Sequence, residues 1–278
     1  MNKTYPIENI SVDVFDEQYF GDASYRQRMD TIQHNGQTHI FKHKQSGNAL
    51  ISEVVTAEIC KAIDAPTADR QLAHITKKQR HYLGVISPDF TDDDTIESLQ
   101  HRFEFDDNIN LSALNLKKAI YKMKHKTKST TPQFCGQFID HWLVDSFIGN
   151  WDNGGGVNSA VRIKKNHDME MAPHFDGEKT IFLYTPTGRI PQERVASLHL
   201  GIGQSNANYL KRKFTTNVTK FKDALVTLRD NPRLPDICDV TGLEDLYTTE
   251  VPRDKLAQMS QNVLDGYKKR IDLFVGQC

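Results

Sequence analysis

The stretch "FIGNWDNGGGVNSAVRI", residues 147–163, joins two apolar runs through a loop that carries an acid and an amide. Asp152 stands before three consecutive glycines at positions 154–156, and Asn158 stands after them. Glycines lose much backbone entropy on folding, so a loop that keeps three of them usually needs unusual dihedral angles or close approach to a ligand. The stretch therefore predicts either an ordinary turn between a helix and a strand or a site for phosphate and metal.

Length and composition narrow the class of protein. A chain of 278 residues can form one large domain or two modest lobes. Its net charge of -1 gives no reason to expect direct nucleic-acid binding. The four cysteines stand far apart, which argues against a zinc site and suits a reducing compartment. With no secretory signal and no apolar run of membrane length, we expect a cytoplasmic protein, although export as an effector by a specialised system stays open.

A β-rich region is predicted ahead of the quoted stretch. Residues 1–46 alternate in the manner of strands, and "HNG" at 34–36 predicts a hairpin turn. Residues 50–63 carry apolar side chains at helical spacing and stop before Pro66. "RQLAHI" and "HYLGVISPDF" then predict further strands. Residues 1–90 are therefore predicted to form a sheet with one helix.

Helices dominate the prediction for residues 91–278. The acidic beginning of this part is predicted to be a loop. Residues 111–126 predict an amphipathic helix with Ser112 as its N-cap, and residues 133–149 predict a helix with a broad apolar face. The last part is predicted to be mostly helical, with an interruption at "NPRLPD". The whole sequence thus predicts an α+β fold with a β-rich lobe at 1–90 and a helical lobe after it.

The first lobe carries candidate residues for a nucleotide site. Gly21 opens a polar turn, and a glycine turn between strands lets backbone N–H groups approach a phosphate. Lys42 lies on a strand, and Glu53 lies on the next helix, where a partner for that lysine is expected. Taken singly, these features also suit a hairpin loop, a solvated lysine and the polar face of a helix.

The second lobe adds candidate residues for metal and catalysis. Oxygen ligands from Asn158 and Asp176 suit a magnesium ion that bridges nucleotide phosphates. An aspartate a few residues before the metal-binding asparagine, here Asp152, can accept the proton of an attacking hydroxyl. The order of glycine turn, strand lysine, helix glutamate, hinge, Asp…Asn and Asp-Gly is the order of a kinase-like fold.

At these residues the chain resembles the HipA-like bacterial serine/threonine protein kinases, in a compact form. The resemblance runs through "FGDASYRQR", "NGQTHIFKHK", "ALISEVVTAEI", "FIDHWLVDSFIGNWDNGGGVN" and "APHFDGEKTIF". It implies a two-lobed protein-kinase-like fold and transfer of the ATP γ-phosphate, with Mg²⁺, to Ser or Thr of a protein. Some members are toxins held by an antitoxin, so the resemblance also implies a protein substrate and an antitoxin or other regulatory partner.

The resemblance also implies residue roles in the first lobe. The loop that contacts the phosphates would contain Gly21, Ser24, Arg26 and Arg28. Lys42 would be the nucleotide lysine and Glu53 its partner on the helix. The hinge that meets adenine would be residues 86–90, "ISPDF", which include Ser87, Pro88, Asp89 and Phe90.

In the second lobe the resemblance makes Asp152 the catalytic base and makes Asn158 and Asp176 the magnesium ligands. The chain departs from the family here, because Asn153 and Gly154 stand where relatives carry Arg and His. Asp152 and Asn158 are also six positions apart (158 minus 152) instead of the family's five. Either the glycines absorb the extra residue and the chain is an active, autophosphorylating kinase, or it is a pseudokinase that serves as a binding scaffold.

A metal-dependent phosphoester hydrolase is the alternative from another class. Its two metals would be held by Asp140, Asp145, Asp152, His174 and Asp176. Asp140 and Asp145 lie five positions apart on one predicted helix, a spacing that does not point both at one site. A hydrolase also leaves Lys42 and the glycine turn unexplained.

Overall fold

A computed structural model gives the architecture of most of the chain. It describes residues 7–11, 16–20, 27–43, 47–90, 95–106, 114–127, 131–149, 159–174, 204–239, 241 and 252–277. All structural statements below refer to these ranges.

The first part of the chain forms a mixed sheet in the order β1-β5-β6-β4-β3-β2. Within the described residues its six strands are β1 (Ile7–Ser11), β2 (Asp16–Phe20), β3 (Gln27–His34), β4 (Gln37–Lys42), β5 (Gln71–Lys77) and β6 (Arg80–Pro88). β1 runs parallel to β5, and the other pairs are antiparallel. The hairpin predicted at 34–36 is confirmed: Asn35 and Gly36 have φ of 51° and 76°, the left-handed values that a two-residue hairpin turn needs.

One helix, α1 (Gly47–Ala62), packs on this sheet as the sequence predicts. Its Val54 and Val55 are buried in one cluster with Leu72 of β5 and Val85 of β6. Each such side chain contributes about 1.5–3 kcal/mol when it leaves water. This packing holds α1 against β5 and β6, and β6 is the strand that pairs with β4.

A second sheet of three strands begins the second lobe. Its strands are β7 (Thr95–Ser98), β8 (Ala160–Ile163) and β9 (Met169–Met171), in that order. The prediction of a loop through this acidic segment is therefore wrong for β7. The partner of β7 lies more than sixty residues later in the chain, so no local alternation or turn signal marks the pairing. A short helix, α2 (Leu99–Phe103), follows directly and is capped by the Ser98 hydroxyl.

The rest of the described chain is helical, as predicted. The helices are α3 (Leu116–Lys126), α4 (Pro132–Ile148), α5 (Gln204–Lys213), α6 (Thr215–Arg229), α7 (Arg233–Cys238) and α8 (Arg253–Gln277). α3 begins later than predicted because the Asn115 side chain, not Ser112, caps it by accepting from the Lys118 N–H at 3.1 Å. Ser112 itself lies outside the described residues. None of the described helices is long and apolar enough to cross a membrane.

Helix α4 is the centre of the second lobe. Trp142 and Phe147 are fully buried, and Phe147 packs against Phe274 of α8 with ring centroids 6.0 Å apart. The helix ends at Gly149, whose φ of 63° is a left-handed value that suits glycine. Buried Arg270 of α8 donates to main-chain carbonyls in the last turn of α4, where a cation also opposes the negative end of the helix dipole. Burial lowers the pKa of Arg270 to about 10, so it stays charged at neutral pH.

Candidate functional site

The structure brings Lys42 and Glu53 together as an ion pair. Lys42 is the last residue of β4, and Glu53 lies in the second turn of α1. The Lys42 Nζ contacts Glu53 Oε1; the glutamate side chain is fully buried, whereas the lysine side chain is 17% exposed. The ammonium group thus has a buried counter-ion on one side and solvent access on the other.

A glycine on the neighbouring strand lets β4 approach closely at this point. Gly84 of β6 lies where a β-carbon would be 2.6 Å from Cε2 of Phe41 and closer still to the Lys42 carbonyl oxygen. Backbone atoms of β4 would have to move to admit any side chain there. The position of Lys42 therefore depends on a glycine at 84.

The predicted hinge lies at the end of β6 and between the two sheets. Ser87 and Pro88 pair with β4, and the Asp89 N–H donates to the Thr38 carbonyl at 2.9 Å. The Phe90 carbonyl accepts from Arg162 of β8 at 2.5 Å. Backbone groups of Asp89 and Phe90 are thus already engaged by β4 and β8, and contact of this segment with adenine stays a prediction.

Of the remaining predicted site residues, one lies in a different element from the one predicted, and the others lie outside the described residues. Arg28 lies within β3, opposite Tyr19 of β2, and not in a turn. The predicted phosphate loop is therefore shorter than residues 21–28, because pairing with β2 extends β3 back to Gln27. The predicted residues outside the described ranges are Gly21, Ser24, Arg26, Asp152, Asn158 and Asp176.

Arg70, just before β5, is a second cation on Glu53 that the sequence did not reveal. Its side chain is 2% exposed, and its Nη1 lies 3.1 Å from Glu53 Oε2. The same nitrogen donates to the Glu53 main-chain carbonyl at 3.2 Å. Glu53 therefore lies between two positive side chains, one from β4 and one from the segment that enters β5.

The contacts of Arg70 continue into the second lobe through His174. Arg70 Nη2 lies 3.2 Å from His174 Nδ1 and 2.5 Å from the His174 carbonyl oxygen. His174 Nε2 lies 3.3 Å from Asp145 Oδ1, and Asp145 Oδ2 accepts from the Ser159 hydroxyl at 3.4 Å. A guanidinium can only donate, so a hydrogen bond from Arg70 requires His174 Nδ1 as its acceptor, and Nε2 is then the ring nitrogen that donates to Asp145. We call the connected set Lys42, Glu53, Arg70, His174, Asp145 and Ser159 the polar chain.

Apart from Lys42, every member of the polar chain is buried. Burial raises the pKa of the adjacent Cys60 thiol to about 12; the Arg70 cation opposes this rise and the Asp145 carboxylate adds to it. Burial also lowers the pKa of His141 on α4 to about 4, and the neighbouring His174 lowers it further. Both side chains are therefore neutral near pH 7.

Three of the hydrolase candidates, Asp140, Asp145 and His174, lie within the described residues, and they do not form one cluster; Asp152 and Asp176 lie outside these residues. Asp145 and His174 do contact each other, but the Asp140 carboxylate accepts from Asn217 of α6 at 2.8 Å. Burial raises the pKa of Asp140, against the effect of that hydrogen bond. Within the described residues, no three His, Cys, Asp or Glu side chains are grouped to hold a metal.

Comparison with known proteins places the fold. No protein-family model matches the sequence, and the comparison with curated proteins gives no match. A solved structure of CtkA, a proinflammatory kinase from Helicobacter pylori, aligns with a TM-score of 0.53 at 16% identity, over 96% of this chain and 99% of that chain. HipA of the Shewanella oneidensis MR-1 toxin–antitoxin system, solved with HipB and operator DNA, aligns with a TM-score of 0.52 at 11% identity, over 95% of this chain and 66% of that chain. The chain therefore has the two-lobed α+β fold of the HipA-like kinases, and that predicted fold class is confirmed.

Proposed function

We propose that this chain is a HipA-like protein kinase that transfers the γ-phosphate of ATP, with Mg²⁺, to a Ser or Thr hydroxyl of a protein. The observation that carries the proposal is the ion pair between Lys42 on β4 and the buried Glu53 on α1. In protein kinases, a strand lysine paired with a helix glutamate is required for productive phosphate positioning. The pair lies in a fold that the chain shares with CtkA and HipA.

The groups of the site suit a nucleotide with its metal. The partly exposed Lys42 ammonium offers a cation to phosphate oxygens while Glu53 fixes its direction. Asn158 and Asp176 supply the oxygen donors that Mg²⁺ prefers; both lie outside the described residues, so their assignment rests on the sequence. The bound metal would neutralise charge on the phosphates during transfer.

The chemical step assigns one role to each of two side chains. Asp152 would accept the proton of the Ser or Thr hydroxyl while the oxygen of that hydroxyl forms a bond to the γ-phosphorus. The bond between that phosphorus and the β,γ-bridging oxygen breaks, and ADP leaves. Lys42 would bind and position the α- and β-phosphates, so that the attacking and leaving oxygens stay in line.

Nucleotide binding is tested by thermal unfolding with ATP and Mg²⁺, alone and together. Binding that requires both should stabilise the wild type by about 2.7 kcal/mol at a hundredfold excess over Kd. Lys42→Ala should abolish this gain and still fold, whereas Lys118→Ala on the exposed face of α3 should keep it. No response in the wild type would favour the scaffold, and stabilisation by metal alone would favour the hydrolase.

Phosphate transfer is tested with labelled ATP, a generic protein substrate and the chain itself. Asp152→Asn should keep ATP binding but lower labelling by about a hundredfold or more, since a positioned base acts on the chemical step. Asp176→Ala should instead weaken metal-dependent nucleotide binding, because a charged oxygen ligand is lost. If Asp152→Asn labels as well as wild type does, Asp152 is not the base. A wild type that binds ATP with Mg²⁺ and labels neither itself nor substrate would be a pseudokinase.

A protein substrate and a regulatory partner complete the proposal. CtkA is described as a proinflammatory kinase, and HipA was solved with HipB. We extend this to a cytoplasmic kinase in which a second protein restrains the activity. Co-purification from the native host, followed by labelling with and without the captured protein, would test the restraint.

A further inference from the structure

We propose that Arg70 is a positioning residue that ties the Lys42–Glu53 ion pair of the first lobe to the segments of the second lobe flanking the predicted catalytic and metal residues. The inference rests on the proposed phosphoryl transfer and adds to it a physical connection between the two halves of the site. Lys42 and Glu53 stand at one end of the polar chain, and Asp145 and Ser159 stand at the other.

Arg70 first fixes the orientation of the Glu53 carboxylate. One carboxylate oxygen contacts Lys42 and the other contacts Arg70, so the two cations fix the plane of the carboxylate from both sides. A guanidinium is a rigid planar fork, whereas an ammonium on a four-carbon stem is a mobile point charge. Arg70 therefore holds Glu53, and Glu53 in turn directs Lys42.

Main-chain contacts show that Arg70 stands at a junction of the two lobes. The His174 N–H donates to the Pro66 carbonyl at 3.1 Å, and the Ala68 N–H donates to the His174 carbonyl at 2.9 Å. The Thr67 hydroxyl donates to the same His174 carbonyl at 3.2 Å, as does Arg70. His174 stands two positions before Asp176, a predicted magnesium ligand, in the sequence.

The other end of the polar chain reaches the opening loop. Asp145 lies on α4, seven positions before Asp152 (152 minus 145), and Ser159 follows Asn158 directly. Hydrogen bonds through His174 and Asp145 thus connect Arg70 to residues on both sides of the segment that carries the predicted base and a predicted metal ligand. Errors of about 1 Å in such placement can lower turnover a hundredfold.

The first arm of the test measures the connection without nucleotide. Arg70→Lys keeps the charge but cannot bridge Glu53 and His174 with a fixed fork. Hydrogen exchange of the Ala68 and His174 amides should rise about tenfold in this variant, since both amides donate across the junction. The matched control is Arg102→Lys, which alters another partly buried arginine paired with a glutamate, Glu97, outside the polar chain. Unchanged exchange at both amides would overturn the proposal whatever ATP does.

The second arm asks whether the connection acts on catalysis. In Arg70→Lys, Kd for ATP with Mg²⁺ should stay within about threefold of wild type because Lys42 keeps Glu53, while kcat falls about tenfold or more. A purely structural role would leave kcat of the folded fraction unchanged, and that result would overturn the proposal. Should Arg70→Lys fail to fold, His174→Gln breaks the next link without changing the charge, and the same split is expected.

The two proposals fail in different ways. A wild type that shows no binding of ATP with Mg²⁺ overturns the kinase function and, with it, the positioning role. A wild type that binds ATP and transfers phosphate, together with an Arg70→Lys variant of equal kcat, overturns the role of Arg70 alone. An Arg102→Lys variant that loses kcat to the same degree would also overturn it, because the effect would then not depend on the polar chain.

Discussion

Glu53 and Asp145 are two fully buried carboxylates in one polar chain, and their surroundings differ. Glu53 contacts two cations, Lys42 and Arg70. Asp145 contacts the His174 ring and a serine hydroxyl. The cost of burying the Glu53 carboxylate is thus offset by two cations, and the cost of burying the Asp145 carboxylate is offset by hydrogen bonds.

This difference predicts which of the two carboxylates can lose its charge at the smaller cost to the free energy of unfolding. Removing one partner of a buried ion pair leaves an uncompensated charge, which costs far more than the pair itself contributes. Replacing a hydrogen-bonded carboxylate with an amide of the same shape loses one acceptor and retains the rest. Glu53 should therefore be sensitive to charge, and Asp145 should be sensitive to geometry.

Glu53→Gln should have the largest effect. Two cations would then face a neutral amide in a dry interior, and the free energy of unfolding should fall by about 3–5 kcal/mol. Urea denaturation of wild type and variant measures this difference. The matched control is Glu58→Gln on the same helix, whose glutamate pairs with the partly exposed Lys61 at 3.0 Å. That change should cost at most about 0.5 kcal/mol. Equal losses in the two variants would mean that Glu53 is no more sensitive to loss of its charge than Glu58, which would contradict the prediction.

Part of this comparison is visible in the sequence. The Lys42 and Glu53 pairing follows from the order of strand and helix in a kinase-like fold, and both residues lie within the first lobe. Arg70 and His174 are 104 positions apart, and nothing local marks either as a partner of the other. A buried arginine before a strand looks like any surface arginine in a single sequence, so the bridge between the lobes could be found only from the structure.

The same limit applies to the elements of the fold. The hairpin at 34–36 and the helices α1 and α4 follow from local signals: a turn dipeptide and helical spacing of apolar side chains. β7 was missed because only its distant partner β8 makes it a strand. The sequence predicts a turn at Arg28 because only pairing with β2, and no local signal of its own, makes this position part of a strand.

His141 gives the second prediction, since it is buried beside the Asp145 end of the polar chain. Its Nε2 has no hydrogen-bond partner among the described residues, and its ring centroid lies 6.5 Å from that of His174. Burial and the nearby His174 lower its pKa from 6.5 to about 4, and Asp145 opposes this. As the pH falls from 6.5 toward 4, the His141 ring binds a proton in the unfolded chain but not in the folded chain. Stability should therefore drop by about 1.4 kcal/mol per pH unit, up to about 3 kcal/mol, on account of His141 alone.

The difference between wild type and His141→Leu isolates this contribution. Urea denaturation at pH 7, 5.5 and 4 should show the gap moving in favour of the variant as the pH falls, because leucine has no proton to bind. His125→Leu on the exposed face of α3 is the control and should follow the wild type. Parallel pH profiles for wild type and His141→Leu would mean that folding does not change the pKa of His141, and this would contradict the prediction.

Asp145→Asn should have the smallest effect and decides the protonation of His174. If His174 is neutral, the side-chain amide of the variant can still accept from His174 Nε2 or from the Ser159 hydroxyl, and only one of these two hydrogen bonds is lost. The free energy of unfolding should fall by about 1–2 kcal/mol, well below the loss in Glu53→Gln. A loss as large as that of Glu53→Gln would instead show that Asp145 neutralises a charged imidazolium. Arg70 could then not donate to Nδ1, because both ring nitrogens of a charged histidine are donors. Measuring both variants in the same urea series therefore tests the direction of the hydrogen bonds along the whole polar chain.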